Sequence, residues 1–359
     1  MNDSSNKKNE IMKIAVMLSG GVDSAVAAHL LKKAGYDITC FTLRLFENAK
    51  FGFANGNGAE ATITKAAEIA KKLKLEHKVI DLKDEFEKRV VDYFCESYFD
   101  GLTPNPCVVC NKKIKWGALQ KVVQDLGYDK LASGHYAQIV FEDGCYRVFS
   151  PLDKRKDQTY VLWKLTQKQL ANIVFPLANF TKKQIKQIAI KELGLDVAQE
   201  AESQDVCFIS RDYQSFLVNF KRAKPGKIYF RSEVVGQHQG CFNYTIGQRR
   251  GLNIAYKKPL YVKKIDAATN GVYLCDDVGE LYSTEFFIHK TNWLSGSAPK
   301  DKNLGVKVRY NTSEKEVSSL EFDGKLLRVK MRQPVKAITK GQSAVFYCKK
   351  ELIGGGEIC

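Results

Sequence analysis

Met17-Leu18-Ser19-Gly20-Gly21-Val22-Asp23-Ser24 is the stretch on which the fold turns. Ile14-Ala15-Val16 before it is a short apolar run of the kind that forms a buried parallel strand. After it, Val26, Ala27, Leu30 and Leu31 recur at helical spacing, with Lys32 and Lys33 near the expected helix end and Gly35 as a stop. The turn therefore joins a strand to a helix N-terminus. Gly20 and Gly21 let the backbone bend sharply and approach a ligand closely. Exposed N–H groups and the positive end of the helix dipole make such a turn an anion site. Ser19 and Ser24 add hydroxyl donors, and Asp23 is placed to hold a magnesium ion against a bound phosphate.

No Gly-Lys-Ser/Thr follows the glycines, so this is not the kinase-type phosphate loop. Serines on both sides of an aspartate, after a strand, resemble the pyrophosphatase (PP) loop of adenylating enzymes, which split ATP into AMP and pyrophosphate. The competing explanation is an ordinary glycine turn before a surface helix. The loop points to ATP and is silent about what is adenylated.

A chain of 359 residues is long for one domain, and its 44% hydrophobic content suffices for a core. The net charge of +16 points to a polyanionic partner, RNA or DNA first, with solubility charge as the bland alternative. Met1 to Met12 is polar, without a signal-peptide core. No apolar run approaches the roughly 20 residues of a membrane helix. Ten scattered cysteines do not read as a secreted disulfide framework, so a cytoplasmic location is expected.

Strand and helix patterns alternate through the first half. Ile38–Leu43 reads as an alternating strand, Phe51–Gly58 as a loop, and His77–Asp81 and Lys130–Ser133 as further strands. Ile63, Ala66, Ala67, Ala70 and Leu73 are the expected inner face of a lysine-rich helix, and Thr181–Leu193 is a basic amphipathic helix. The fold class is α/β: a doubly wound parallel sheet with ligands at the strands' carboxyl ends. Beyond Tyr213 the texture is mostly β, with strands at Gly226–Phe230, Val272–Cys275, Gly305–Tyr310, Leu326–Met331 and Ser343–Cys348. Expected domains are 1–212, 213–284 (a small central one) and 285–359, a β-barrel.

Thr103-Pro-Asn-Pro-Cys-Val-Val-Cys-Asn111 carries the second site. Its prolines imply a rigid, non-helical turn holding Cys107 and Cys110, and Lys112, Lys113 and Lys115 favour a thiolate. Half of a zinc site is the alternative, although no second Cys-x-x-Cys or close His pair exists. In Ser203-Gln-Asp-Val-Cys207-Phe-Ile209 the cysteine closes a strand or lies in a short loop. Alone it would be a small buried hydrophobe, but sulfur chemistry needs a donor and a resolving thiol. Cys40, Cys95, Cys145, Cys241, Cys275, Cys348 and Cys359 read as structural. Lys154–Tyr160 is a basic loop whose bland reading is a solvated turn. Gly236–Gly240 through Tyr244–Leu252 suits phosphate contact or base stacking, and equally a β-turn region.

Together these segments resemble the bacterial tRNA-specific 2-thiouridylases, the MnmA family. The match runs through Ser19–Ser24, Thr103–Pro106 with Cys110-Asn111, Ser133-Gly-His-Tyr136 and Lys156-Asp-Gln158. It continues in Ser203–Phe208, Tyr244-Thr-Ile-Gly-Gln-Arg249, Gly341-Gln342 and Gly354-Gly-Gly356, covering nearly the whole chain in order. The resemblance implies a PP-loop domain, a small central domain and a C-terminal barrel. It implies that ATP, with Mg2+, bound by Met17, Leu18, Ser19, Gly20, Gly21, Val22, Asp23 and Ser24, with Leu43 and Gly134, adenylates the C2 oxygen of a tRNA wobble uridine. Cys207 then accepts a persulfide sulfur from a relay protein fed by a cysteine desulfurase. Cys110 is the partner thiol, and a transient Cys110–Cys207 disulfide closes the cycle.

By the same resemblance Asn105, Pro106 and Cys107 meet the target base. His135, Lys156, Asp157, Gln158, Arg309, Tyr310 and Gln342 contact tRNA, with tRNAs for Lys, Glu and Gln expected. The chain departs from the family at three places. Cys107 stands where some members carry an aspartate; Leu43-Arg-Leu-Phe46 replaces a Met-Lys-x-Trp segment; Lys65-Ala66 replaces Asp-Ala. The alternatives are another PP-loop enzyme (a 4-thiouridine synthase or an amidotransferase-type synthetase), an RNA-binding module with a dead nucleotide site, and a zinc-binding structural protein.

Overall fold

Lys13–Met17 lies in the middle of a five-stranded sheet, flanked by Asp37–Arg44 and then His77–Asp81 on one side, and by Lys130–Ala132 and then Ile173–Val174 on the other. All four pairings are parallel. The computed structural model describes residues 11–53, 58–196, 206–220, 224–299 and 303–359. The chain divides into two units, Met1–Asp84 with Lys113–Thr159 and Thr166–Gln204, and Glu85–Lys112 with Tyr160–Leu165 and Asp205–Cys359.

In the first unit, side chains of one parity along the sheet, among them Ile14, Val16, Ile38, Cys40 and Ala132, form one core with the helices Val22–Lys33, Gly58–Leu73 and Lys182–Leu193. Phe41, of the opposite parity, meets Tyr128 edge-on at 5.2 Å. Helices on both faces explain why Ile38–Thr42 is buried without interruption, where alternation was expected. The Gly58–Leu73 helix buries Ala59, Ala66, Ile69, Ala70 and Leu73. Ala67, expected inside, faces out, because a 3.6-residue period seats Ile69 there instead. Part of the expected Phe51–Gly58 loop, residues 54–57, lies outside the described residues, as do Ser203–Asp205.

The second unit holds a four-stranded sheet in the order Tyr261–Asp266, Gly271–Cys275, Gly226–Phe230, Glu233–His238, around a core of its own. A six-stranded antiparallel barrel follows in the order Tyr282–Trp293, Leu327–Lys336, Lys315–Phe322, Gly305–Lys307, Ser343–Cys348, Glu351–Ile358. It closes where Glu351–Ile358 pairs back onto Tyr282–Trp293. Two expectations change here. Tyr213–Val218 is a helix, capped by the Asp212 side chain on the Ser215 N–H. The strand expected over Gly305–Tyr310 stops at Lys307, and Arg309 and Tyr310 lie in the turn beyond it. Among the described residues no helix is long and apolar enough to cross a membrane.

Candidate active site

The strand Lys13–Met17 delivers the chain to Ser19 at the carboxyl end of the sheet, and the helix starts at Val22. Gly20 takes φ +77°, the left-handed conformation that only glycine adopts without strain. Ser24, buried, receives the Ser19 N–H at 3.1 Å and donates to the Gly21 carbonyl at 2.9 Å. Ser19 Oγ lies 3.2 Å from Ser24 Oγ. The serines thus fix the shape of the loop, and the exposed Ser19 leads its outer surface.

Asp23 Oδ1 accepts from the Lys182 ammonium at 2.6 Å and from the Tyr136 hydroxyl at 2.7 Å. Lys182 opens its helix; Thr181 and Gln184 cap that helix reciprocally, and the buried Asp153 accepts the Lys182 N–H at 3.1 Å. Gly134 packs on the same turn: a Cβ there would lie 2.8 Å from the Asp23 carbonyl carbon and 2.9 Å from the Ser24 nitrogen. Leu43 follows Thr42, whose hydroxyl donates to the Leu18 carbonyl at 2.7 Å. Loop, Leu43 and Gly134 are therefore gathered at one edge of the sheet.

The next expected residues extend this edge. His135 Nδ1 lies 2.7 Å from Ser133 Oγ, and its ring packs against both Trp116 and Phe175, with centroids at 5.9 and 5.7 Å. Burial first, and the Lys115 charge second, hold its pKa well below the ordinary histidine value, so the ring is neutral at pH 7. Lys156 ends a short 3-10 turn within the stretch Lys154–Tyr160, expected to be a plain loop. Asp157 accepts from the Ser150 hydroxyl and from the Thr159 N–H, 2.8 and 2.9 Å. Gln158 Oε1 accepts the Tyr136 N–H at 2.9 Å, and the Gln158 N–H returns to the Tyr136 carbonyl at 3.0 Å.

The thiols belong to the second unit. The Thr103–Asn111 segment is not the non-helical turn its prolines suggest: Pro106–Cys110 is the first turn of a helix. Pro106 takes the first helical position, where its missing N–H costs nothing. Asn105 is the N-cap, its Oδ1 accepting the Val108 N–H at 3.3 Å. Asn111 Nδ2 donates to the Cys107 carbonyl at 2.9 Å. The helical coil then widens to i→i+5 spacing over Asn111–Leu119. Cys110 is buried, whereas Cys107 and Cys207 are exposed. Cys207 lies in a turn just before Phe208, which packs edge-on against Phe86 and Phe94. Burial raises the thiol pKa of Cys40 and Cys95 to about 12, as befits structural cysteines. Among the described residues no three His, Cys, Asp or Glu side chains gather as a metal site requires.

Arg309 Nη2 donates to the carbonyls of Ile246 and Ala337 at 3.2 and 2.9 Å, and to Thr339 Oγ1 at 2.5 Å. Tyr310 stacks edge-on with Tyr160 at 5.7 Å. Gln342 Nε2 donates to the Thr103 carbonyl at 2.8 Å. The expected residues thus form two sets, one per unit. Sequence reasoning misses Lys182, whose only trace there is its place beside Thr181 at a helix start.

Three family models match successive parts of the chain: "tRNA methyl transferase HUP domain" over residues 12–211, "tRNA methyl transferase PRC-barrel domain" over 214–276, and "Aminomethyltransferase beta-barrel domain" over 283–358. A protein named tRNA-specific 2-thiouridylase MnmA from Syntrophomonas wolfei is 41% identical over 352 residues, 97% of this chain and all of that one. The chain belongs to the tRNA-specific 2-thiouridylase family. Members named alike from Clostridium acetobutylicum and Acetivibrio thermocellus are each 38% identical over 96% of this chain and 99% of their own. The parallel sheet falls in the first matched span, the small central sheet in the second, and the barrel follows the third.

Proposed function

We propose that the chain is the ATP-dependent 2-thiouridylase of the tRNA wobble uridine. The observation that carries this is the Ser19–Ser24 loop, built for an anion at the carboxyl end of a parallel sheet, in a chain alike along its whole length to 2-thiouridylases. The family models speak of methyl transfer and the full-length relatives of thiolation. The cysteines favour thiolation, because persulfide sulfur transfer needs both an accepting and a resolving thiol.

In this reading the uridine C2 oxygen attacks the α-phosphorus of ATP, and pyrophosphate leaves from the Ser19–Ser24 loop. The oxygen becomes part of a good leaving group, AMP. A magnesium ion, carried with the nucleotide, would offset phosphate charge, and Asp23 would reach it through the oxygen that Lys182 and Tyr136 do not use. Cys207, exposed, suits the acceptance of a persulfide sulfur from a sulfur-relay protein or cysteine desulfurase. Cys110 attacks the inner sulfur of that persulfide, forming the Cys110–Cys207 disulfide and freeing sulfide, which adds at C2 and expels AMP. A thiol reductant restores both cysteines. Asn105, Pro106 and Cys107 would meet the base, which must leave the anticodon stack. His135, Lys156–Gln158, Arg309, Tyr310 and Gln342 would border the tRNA, and the net charge of +16 supports such a partner. The boundaries near 212 and 284 belong to this proposal, and the limits of the family models support them.

The test is sulfur incorporation into unmodified tRNA with ATP, magnesium and a protein persulfide, for wild type beside Cys110→Ser, Cys207→Ser and Cys107→Ser. Thiouridine at the wobble position, lost in the Cys110 and Cys207 variants and kept in the Cys107 variant, is expected. Loss with Cys107→Ser and retention with Cys110→Ser would exchange the two roles. Pyrophosphate release without any thiouridine would sink the thiolation and leave only the nucleotide loop.

A further inference from the structure

The stretch Leu102–Pro106, which leads into the cysteine helix, is held from the barrel. The Thr103 N–H donates to the Lys340 carbonyl at 2.9 Å. Gln342 Nε2 donates to the Thr103 carbonyl at 2.8 Å and reaches the Pro104 carbonyl at 3.5 Å. Gly341, at φ +87°, brings its backbone so close that a Cβ would lie 2.9 Å from both Leu102 Cβ and the Thr103 nitrogen. The barrel loop is itself braced. The Gly341 N–H donates to the Ile358 carbonyl at 2.8 Å, and the Ile358 N–H to the Gln342 carbonyl at 2.9 Å. Arg309 ties Ala337 and Thr339, and the Tyr160 hydroxyl donates to the Ser343 carbonyl at 2.8 Å.

Pro104 and Pro106 have no N–H with which to anchor this stretch, and Asn105 spends its side chain as the helix cap. Its carbonyls are therefore the natural handles, and Gln342 supplies the donor.

We infer that Gln342 is a positioning residue for the cysteine helix: by holding the Thr103 carbonyl it sets where Asn105 caps the helix and so where Cys110 stands. This goes beyond a tRNA contact, and only its effect on turnover rests on the proposed function. A Gln342 that merely touched tRNA would leave the ligand-free protein unchanged on replacement. A positioning Gln342 would not.

The decisive experiment compares alkylation of Cys110 by iodoacetamide, read by peptide mass spectrometry without tRNA or ATP, in wild type, Gln342→Leu and Gln342→Lys. Gln342→Leu is expected to speed Cys110 labelling roughly fivefold, the weight of one lost hydrogen bond on local opening. Gln342→Lys, which keeps a donor of similar reach, is expected to restore slow labelling. Cys275, buried in the central sheet of the same unit, reports general unfolding and is expected to keep its wild-type rate. In the thiolation assay Gln342→Leu is expected to lower kcat, beyond any change in the KM for tRNA that a lost tRNA contact brings. Unchanged Cys110 labelling, equal acceleration at Cys275, or a rise in KM alone would each overturn the inference. If the wild type fails to thiolate tRNA, the proposed function falls, while the labelling comparison still decides the positioning role.

Discussion

If the Ser19–Ser24 loop holds the ATP phosphates as proposed, a carboxylate within it is an electrostatic burden, and Lys182 together with Tyr136 lifts it. Their two bonds to Asp23 Oδ1 spread its charge over a cation and a hydroxyl, so the loop keeps the positive field of its helix start and N–H groups. Of the Lys182 side chain 15% is exposed and of the Asp23 side chain 33%, so water screens the pair only in part. Lys182→Met is accordingly expected to weaken ATP binding about tenfold, because it leaves one net negative charge facing the phosphates. Titration of the purified protein with ATP measures this directly, and unchanged affinity would show that the pair serves only the fold. The pair is not legible in the sequence, since 159 residues separate its members. The serines, glycines and aspartate of the loop are legible, because they are local and each type has one physical use there.

Elements can be read from the chain where pattern and period agree. The strand before the loop, the helix after it and the next strand all come from apolar spacing and stop signals, although that strand is buried without interruption over Ile38–Thr42 and does not alternate. The Pro106–Cys110 turn escapes such a reading because proline signals a break, although at the first helical position it starts a helix. Ile69 displaces Ala67 from the inner face of its helix unannounced, because alanine is small enough to satisfy either side. The helix Lys182–Leu193 carries the cation on Asp23, so its capping matters beyond its own length. Thr181→Ala removes the cap on the Gln184 N–H and is expected to cost about 1 kcal/mol of stability, with faster amide exchange confined to the first turn. Hydrogen exchange read by mass spectrometry separates that local fraying from global loosening.

For the whole molecule, the neutral His135 sets a limit on acid stability. Its folded pKa lies well below the ordinary value near 6.5. The unfolded chain therefore binds a proton below about pH 6.5 that the folded chain refuses. Stability is full above that pH and falls as pH drops through it, at up to roughly 1.4 kcal/mol per pH unit from this group. His135→Gln is expected to flatten the loss between about pH 6.5 and 5 relative to wild type, in denaturant unfolding followed at each pH. An unaltered slope would place the acid sensitivity at His77, His238 or His289, whose pKa values burial also lowers.

The closure of the barrel by Glu351–Ile358 has a consequence for how the protein is made. These eight residues pair on one side with Ser343–Cys348 and on the other with Tyr282–Trp293, and they brace the loop that carries Gln342. They also carry Glu357, buried between Lys164 and Lys290. During synthesis this strand leaves the ribosome after every other strand of the barrel. Until it does, two strand edges stand open, ready to pair with another nascent chain. A message cut short before Glu351 would thus yield a protein with its Ser19–Ser24 loop and all three motif cysteines present, yet with an adhesive seam in place of a barrel. Its fate would be set by chaperones and proteases before any chemistry began.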